Sequence, residues 1–94
     1  MQTVLRWDPE KARRNLRKHS VTFEEAASVF RDVLSVTISD PLHSAQEGRF
    51  VTIGQSDRGR TLIVVHSEVG EAIRIISARV ATRRERIEYE EGTP

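Results

Sequence analysis

Two runs decide how this chain folds. They are Arg60-Thr61-Leu62-Ile63-Val64-Val65-His66-Ser67 and, after a turn through Gly70, Ala72-Ile73-Arg74-Ile75-Ile76-Ser77-Ala78-Arg79-Val80-Ala81-Thr82-Arg83-Arg84-Glu85-Arg86. In the first, Leu62 to Val65 is apolar without alternation, as expected of a central strand covered on both faces. The second predicts a strand over Ala72 to Arg79 that passes with almost no loop into Thr82-Arg83-Arg84-Glu85. That spacing, a threonine three residues ahead of a glutamate, is a capping box and launches a C-terminal helix carrying Ile87 and Tyr89. Upstream, Asp57-Arg58-Gly59 reads as a hairpin turn that pairs the first run with a strand from Arg49 to Gln55. Val33 to Ser39 predicts another strand, with Leu34, Val36 and Ile38 on one face. Asp40 to Gly48 is a polar loop. Gly54, Gly59 and Gly70 fall at hairpin spacing and read as turn residues.

The N-terminal third is helical by its punctuation. Thr3 to Trp7 alternates loosely as a first strand. Asp8 then caps a helix whose first turn holds Pro9, where a missing N–H costs nothing. Ala12, Asn15, Leu16 and His19 share one face of that helix, with Lys11, Arg13, Arg14, Arg17 and Lys18 around the rest. Thr22-Phe23-Glu24-Glu25 reads as a second capping box, and Phe23, Ala26, Ala27 and Phe30 give the next helix an apolar stripe. Two short helices cannot bury both stripes alone; they need the sheet. The expected order is β-α-α-β-β-β-β-α, a single α+β domain over 1–94 with a small, curved, mostly antiparallel sheet. Residues 91–94 are expected to fray.

Composition narrows the function classes. The chain has 94 residues, enough for one modest core. Lysine plus arginine number 15 against 14 acids, so any basic surface must arise by segregation of charge. Without cysteine, disulfides, thiolate catalysis and thiolate metal sites are excluded. No signal-peptide pattern and no membrane-length apolar run is present, so a soluble cytoplasmic protein is expected. His19, His43 and His66 are too scattered for a metal site, and neither a phosphate-cradling glycine loop nor a nucleophile elbow occurs. No cofactor is expected. What remains is a set of arginines with a few proton carriers. Arginine offers a planar, permanently charged fork that suits phosphate oxygens. Such a set fits metal-independent RNA cleavage, which needs a base for the 2′-OH, an acid for the leaving oxygen and cations for the crowded phosphorane.

The order and spacing of further residues resemble a known family. Trp7-Asp8-Pro9, Asn15-x-x-Lys18-His19-x-Val21-x-Phe23-Glu24-Glu25-Ala26 and Val29-Phe30-x-Asp32 are similar to the opening of the BrnT toxins. The similarity continues through Asp40-x-x-His43-Ser44-x-x-Glu47-x-Arg49, Ile53-Gly54, Gly59-Arg60-x-Leu62-x-Val64-Val65, Arg74 to Arg79, and Ala81-Thr82-x-x-Glu85-Arg86. Gly48 departs from the pattern, since many relatives carry a second acid after Glu47, and this weighs against a catalytic carboxylate pair in the loop. The resemblance implies a RelE-like endoribonuclease toxin of a type II toxin–antitoxin pair that inhibits translation and growth. It also implies a BrnA-like ribbon–helix–helix antitoxin, a heterotetrameric complex, and contact with DNA only through the antitoxin. A catalytically silent interaction module, binding an antitoxin or RNA without cutting, is the alternative.

Candidate residues follow, each beside its structural alternative. Arg79 closes the last strand, where it either contacts phosphate or pairs with an acid such as Glu85. Arg49 starts a strand beside the loop holding His43 and Glu47. His66 ends an apolar strand, as a general base or acid or as a satisfied core histidine. With Glu47 and Arg83, these form the expected catalytic set. Arg74, Arg86, Lys18, His43 and Tyr89 are the expected RNA contacts. Strict alternation sets Arg74 and Arg79 on opposite faces unless a bulge intervenes. Trp7 is expected in the core or against the antitoxin.

Overall fold

The computed structural model describes residues 4–40 and 48–92. Strand β1 (Val4–Arg6) leads into helix α1 (Pro9–His19). Asp8 accepts the Glu10 N–H at 2.9 Å, and Ser20 closes the helix in the left-handed conformation. Helix α2 (Phe23–Ser28) continues into a single 3-10 turn at Val29–Arg31. Strands β2 (Val36–Ser39), β3 (Arg49–Gln55), β4 (Thr61–Val69) and β5 (Ala72–Val80) follow, and helix α3 (Arg83–Glu91) ends the described chain. This is the expected α+β order.

The strands form one sheet in the order β1-β5-β4-β3-β2. Neighbours from β2 to β5 are antiparallel, while β1 lies parallel to β5, with Val4 opposite Ala72 and Arg6 opposite Arg74. Helices α1 and α2 cover one face, where Val21, Phe23, Ala26, Val29, Leu62, Val64, Ile75 and Ala78 form the core. Trp7 joins it edge-on to Phe23, with ring centroids 6.1 Å apart. Buried Asn15 stitches helix to sheet: its amide donates to the Val21 and Ala78 carbonyls and accepts the Ala78 N–H. Satisfying both ends of a buried amide is what makes its burial tolerable.

Several sequence expectations need correction. Strand β2 begins at Val36, because Asp32 ends the 3-10 turn and accepts the Leu34 N–H at 2.9 Å, holding the chain in a turn. Leu16 is exposed rather than facing the core. Gly54 is no turn residue but a buried position inside β3. A Cβ there would sit 2.9 Å from both Val29 Cγ1 and Ser35 Cβ, so close approach of backbone excludes a side chain. At α2, Thr22 accepts the Glu25 N–H, but the Glu25 carboxylate does not return the bond. It is drawn instead to Arg60, whose Nε lies 2.9 Å away, and to Ser56 at 2.7 Å. The two Arg60 contacts are charge-assisted and outcompete a neutral backbone N–H.

Candidate functional site

The second face of the sheet carries no α1 or α2 cover. Helix α3 rises at one side of it, leaving an open cleft of about 820 Å³. Val51, Ile53, Ile63, Val65 and Ile76 floor the cleft, Val36 and Ile38 of edge strand β2 extend the apolar surface, and Arg49, Arg79, Glu85 and Tyr89 stand around it. Alternation explains the arrangement, since residues of β3 and β4 that point away from the helical core must point here.

Arg79 reaches this face at the end of β5, where the chain turns into α3. Its Nη1 and Nη2 donate to Glu85 Oε1 and Oε2 at 2.8 and 2.9 Å, a fork-on-fork pair. Glu85 completes the α3 capping box, accepting the Thr82 N–H while Thr82 Oγ1 accepts the Glu85 N–H. The Arg79 guanidinium, opposed by partial burial and assisted by the Thr82 backbone, pushes the Glu85 carboxyl down to about 2. Glu85 is therefore ionised at neutral pH and a poor proton acceptor. Its evident role is to hold Arg79 and the start of α3 in place.

A second tether fixes the far end of α3, which buries no residue of its own. The Tyr89 hydroxyl donates to Asp32 Oδ2, which also accepts the Gln55 N–H at 2.7 Å. Burial, reinforced by the Asp32 carboxylate, pushes the Tyr89 phenol up to about 12. Burial opposes ionisation of Asp32, but the Gln55 and Leu34 N–H groups and the Tyr89 hydroxyl hold its carboxyl below the ordinary value.

Other expected site residues are distributed unevenly. Arg49 lines the opposite end of the cleft from α3, and Asp40 lies beside it, its N–H donating to the Arg49 carbonyl at 3.1 Å. Arg74 joins the open face through a bulge. The register of β5 against β4 shifts between Val65 and His66, so that both Ile76 and Ser77 line the cleft. One extra residue restores Arg74 and Arg79 to the same side. Arg83 and Arg86 lie exposed on α3 and do not line the cleft; Arg86 Nε is 4.0 Å from Glu90. Lys18 is exposed on α1, in the layer behind the sheet. His43 and Glu47 lie outside the described residues.

His66 is placed on the wrong side for the cleft. It is fully buried, edge-on to Phe30 at 4.9 Å and stacked on Phe50 at 5.9 Å between centroids. Nε2 lies 2.7 Å from Thr52 Oγ1, which lies 2.6 Å from Thr37 Oγ1, while Nδ1 has no partner. Burial pushes its pKa down to about 4, so the ring is neutral at physiological pH. The sequence reading did not anticipate Asp32. Only its place beside Phe30 in a resembling motif marked it, since its partner Tyr89 is 57 residues away.

No curated protein matches the chain significantly. The crystal structure of the Brucella abortus ribonuclease toxin BrnT superposes with a TM-score of 0.69 at 21% identity, covering 87% of this chain and 100% of that one, a likeness of fold. The family model described as the ribonuclease toxin BrnT, of type II toxin–antitoxin systems, matches residues 7–85. The chain therefore belongs to the BrnT family of ribonuclease toxins.

Proposed function

We propose that this chain is a metal-independent endoribonuclease that cleaves RNA on the open face of its sheet. The observation that carries the reading is the pair Arg49 and Arg79 around an accessible cleft, with Arg74 on the same face beyond it, although strict alternation would have split Arg74 from Arg79. In the reaction the ribose 2′-oxygen attacks the adjacent phosphorus and gives its proton to a base. The phosphorus–5′-oxygen bond then breaks, and the leaving oxygen takes a proton from an acid. A 2′,3′-cyclic phosphate and a 5′-hydroxyl result. Arg79 and Arg49 supply the cationic donors for the phosphorane, the largest single contribution such a site makes. Glu85 aims Arg79, and Tyr89, whose single hydroxyl proton is given to Asp32, holds α3 at the rim. The proton carriers are assigned to His43 and Glu47, six and two residues ahead of Arg49 in the sequence. His66 is left out, since a buried neutral ring on the other face cannot reach substrate.

The same reading assigns a BrnA-like ribbon–helix–helix antitoxin, a heterotetrameric complex, and inhibition of translation in the cytoplasm. Exposed Val36 and Ile38 on the edge strand support a protein partner, because such strands are normally covered or charged. Among the described residues no helix is long and apolar enough to cross a membrane. One observation favours a catalytically silent module: the Arg79 fork is already occupied by Glu85. The deciding experiment is cleavage of a mixed-sequence RNA in excess EDTA, with wild type, Arg79→Ala and the antitoxin complex. Cutting should leave 5′-hydroxyl ends, fall about 100-fold or more in the variant, and stop in the complex. No cutting by wild type, on free RNA or on translating ribosomes, would turn the assignment to the silent module.

A further inference from the structure

The parallel pairing of β1 brings a residue to the open face that no motif singled out. Arg6 lies opposite Arg74, Arg74 opposite Ser67, and Ser67 opposite Arg49. Residues directly opposite across strands point to the same side, so Arg6, Arg74, Ser67 and Arg49 form one row across β1, β5, β4 and β3. Arg6 and Arg74 are exposed, and none of the three arginines has a carboxylate partner among the described residues. The contrast with Arg13, Arg60, Arg79 and Arg84, each held by a glutamate, is sharp.

We infer that this row is a backbone-binding track for single-stranded RNA, separate from the Arg79–Glu85 pair and gripping phosphates that flank the cleavage point. The inference rests on the ribonuclease reading above. Strands are about 4.8 Å apart, so the row spans about 15 Å, room for about two to three phosphates of one strand. Along β5, Arg74 and Arg79 are five positions apart with one residue taken up by the bulge, about 13 Å. The aliphatic floor, including Val65 and Ile76, lies between them. Unstacked bases can rest on that floor while their phosphates reach the arginines, which a duplex with its bases stacked inside cannot do. Charge is segregated in the same direction. Besides Asp40 next to Arg49, the acids lining the cleft, Glu85, Glu88, Glu90 and Glu91, belong to α3, whereas the row ends at β1 and β5 on Arg6 and Arg74. Glu68, the nearest acid on β4, pairs with Ile73 of the core face and so points away from the row. Asp40, beside Arg49, is buried. Such segregation gives a chain of net charge +1 a local site for a polyanion.

The test is binding of a single-stranded, fully 2′-O-methylated RNA 12-mer, which lacks the attacking hydroxyl, followed by fluorescence anisotropy over a salt series. Arg6→Ala and Arg74→Ala should each weaken binding about five- to tenfold and flatten the log K against log salt slope by about 0.7 per phosphate lost. Arg6→Lys should keep the slope, and Arg14→Ala, on α1 behind the sheet, should match wild type in both affinity and slope. The duplex form of the same RNA should bind more weakly. Wild-type affinity and slope for Arg6→Ala, in a variant with native circular dichroism, would overturn the track even if wild type cuts RNA. Equal binding of duplex and single strand would overturn its single-strand character. Failure of wild type to cut RNA would instead strike the ribonuclease reading, and the anisotropy slopes would still decide the track.

Discussion

His66 makes folding stability depend on pH in a way that can be calculated. The ring is fully buried between Phe30 and Phe50, and its pKa falls from the ordinary imidazole value near 6.5 to about 4. Below pH 6.5 the unfolded chain gains a proton that the folded chain refuses. The stabilisation from the neutral buried ring is therefore fully present above pH 6.5, declines as the pH falls, and levels off below pH 4. Between pH 7 and pH 5 the loss is about 2 kcal/mol, a factor of roughly 30 in the folding equilibrium. With a urea m-value of about 1 kcal/mol/M for a domain of this size, the midpoint should fall by about 2 M over that interval. His66→Phe retains an aromatic ring between Phe30 and Phe50, and Thr52 keeps its Thr37 partner. Its absolute stability matters less than its slope: from pH 7 to pH 5 wild type should lose about 2 kcal/mol relative to the variant. Above pH 5 the carboxylates are largely ionised in both states and add little. Parallel pH profiles for wild type and His66→Phe would refute the reasoning.

Three other perturbations separate packing from tethering. Arg60→Met strips the buried Glu25 carboxylate, whose side chain is 2% exposed, of its cation and should cost about 3–5 kcal/mol. The melting temperature should drop by roughly 15 °C or more, and adding Glu25→Gln should recover part of it; a fall under about 4 °C would mean that Ser56 and water suffice. Gly54→Ala forces a methyl to 2.9 Å from Val29 and Ser35 and should cost about 1–3 kcal/mol by urea titration. A neutral result would show that the segment after α2 yields freely. Tyr89→Phe removes one of the two tethers of α3. Amide exchange should quicken in α3 alone while global stability moves by about 1 kcal/mol or less, and unchanged α3 protection would assign its docking to Arg79–Glu85.

Much of the fold was legible because its signals are local. Thr82-x-x-Glu85 capped α3 as read, Asp8-Pro9 opened α1, and Arg49 to Gln55 matches β3 residue for residue. The failures share a cause. Thr22-x-x-Glu25 has the same local spacing as Thr82-x-x-Glu85, yet Glu25 turns to Arg60, 35 residues on, because that partner is charged and already at hand in the fold. Gly54 resembled a turn glycine because nothing in its neighbours along the chain tells of Val29 pressing from another element. His66 ends an apolar strand whether it faces a cleft or a core, and only the side of the sheet distinguishes a proton carrier from a packed ring.

By itself the sequence determined which elements form, their order, the apolar central strand and the abundance of arginine without a metal or thiolate set. These depend on periodicity, caps and composition, which act within a few residues. Tertiary structure alone decided which arginines share a surface. A single bulge at Ile76 and Ser77 returned Arg74 to the side of Arg79, and the parallel docking of β1 added Arg6 beside it. Side-chain direction in a sheet reverses with every residue, so one extra residue or one strand pairing reassigns a face. That geometry is set by contacts between segments far apart in the chain, and no local pattern encodes it.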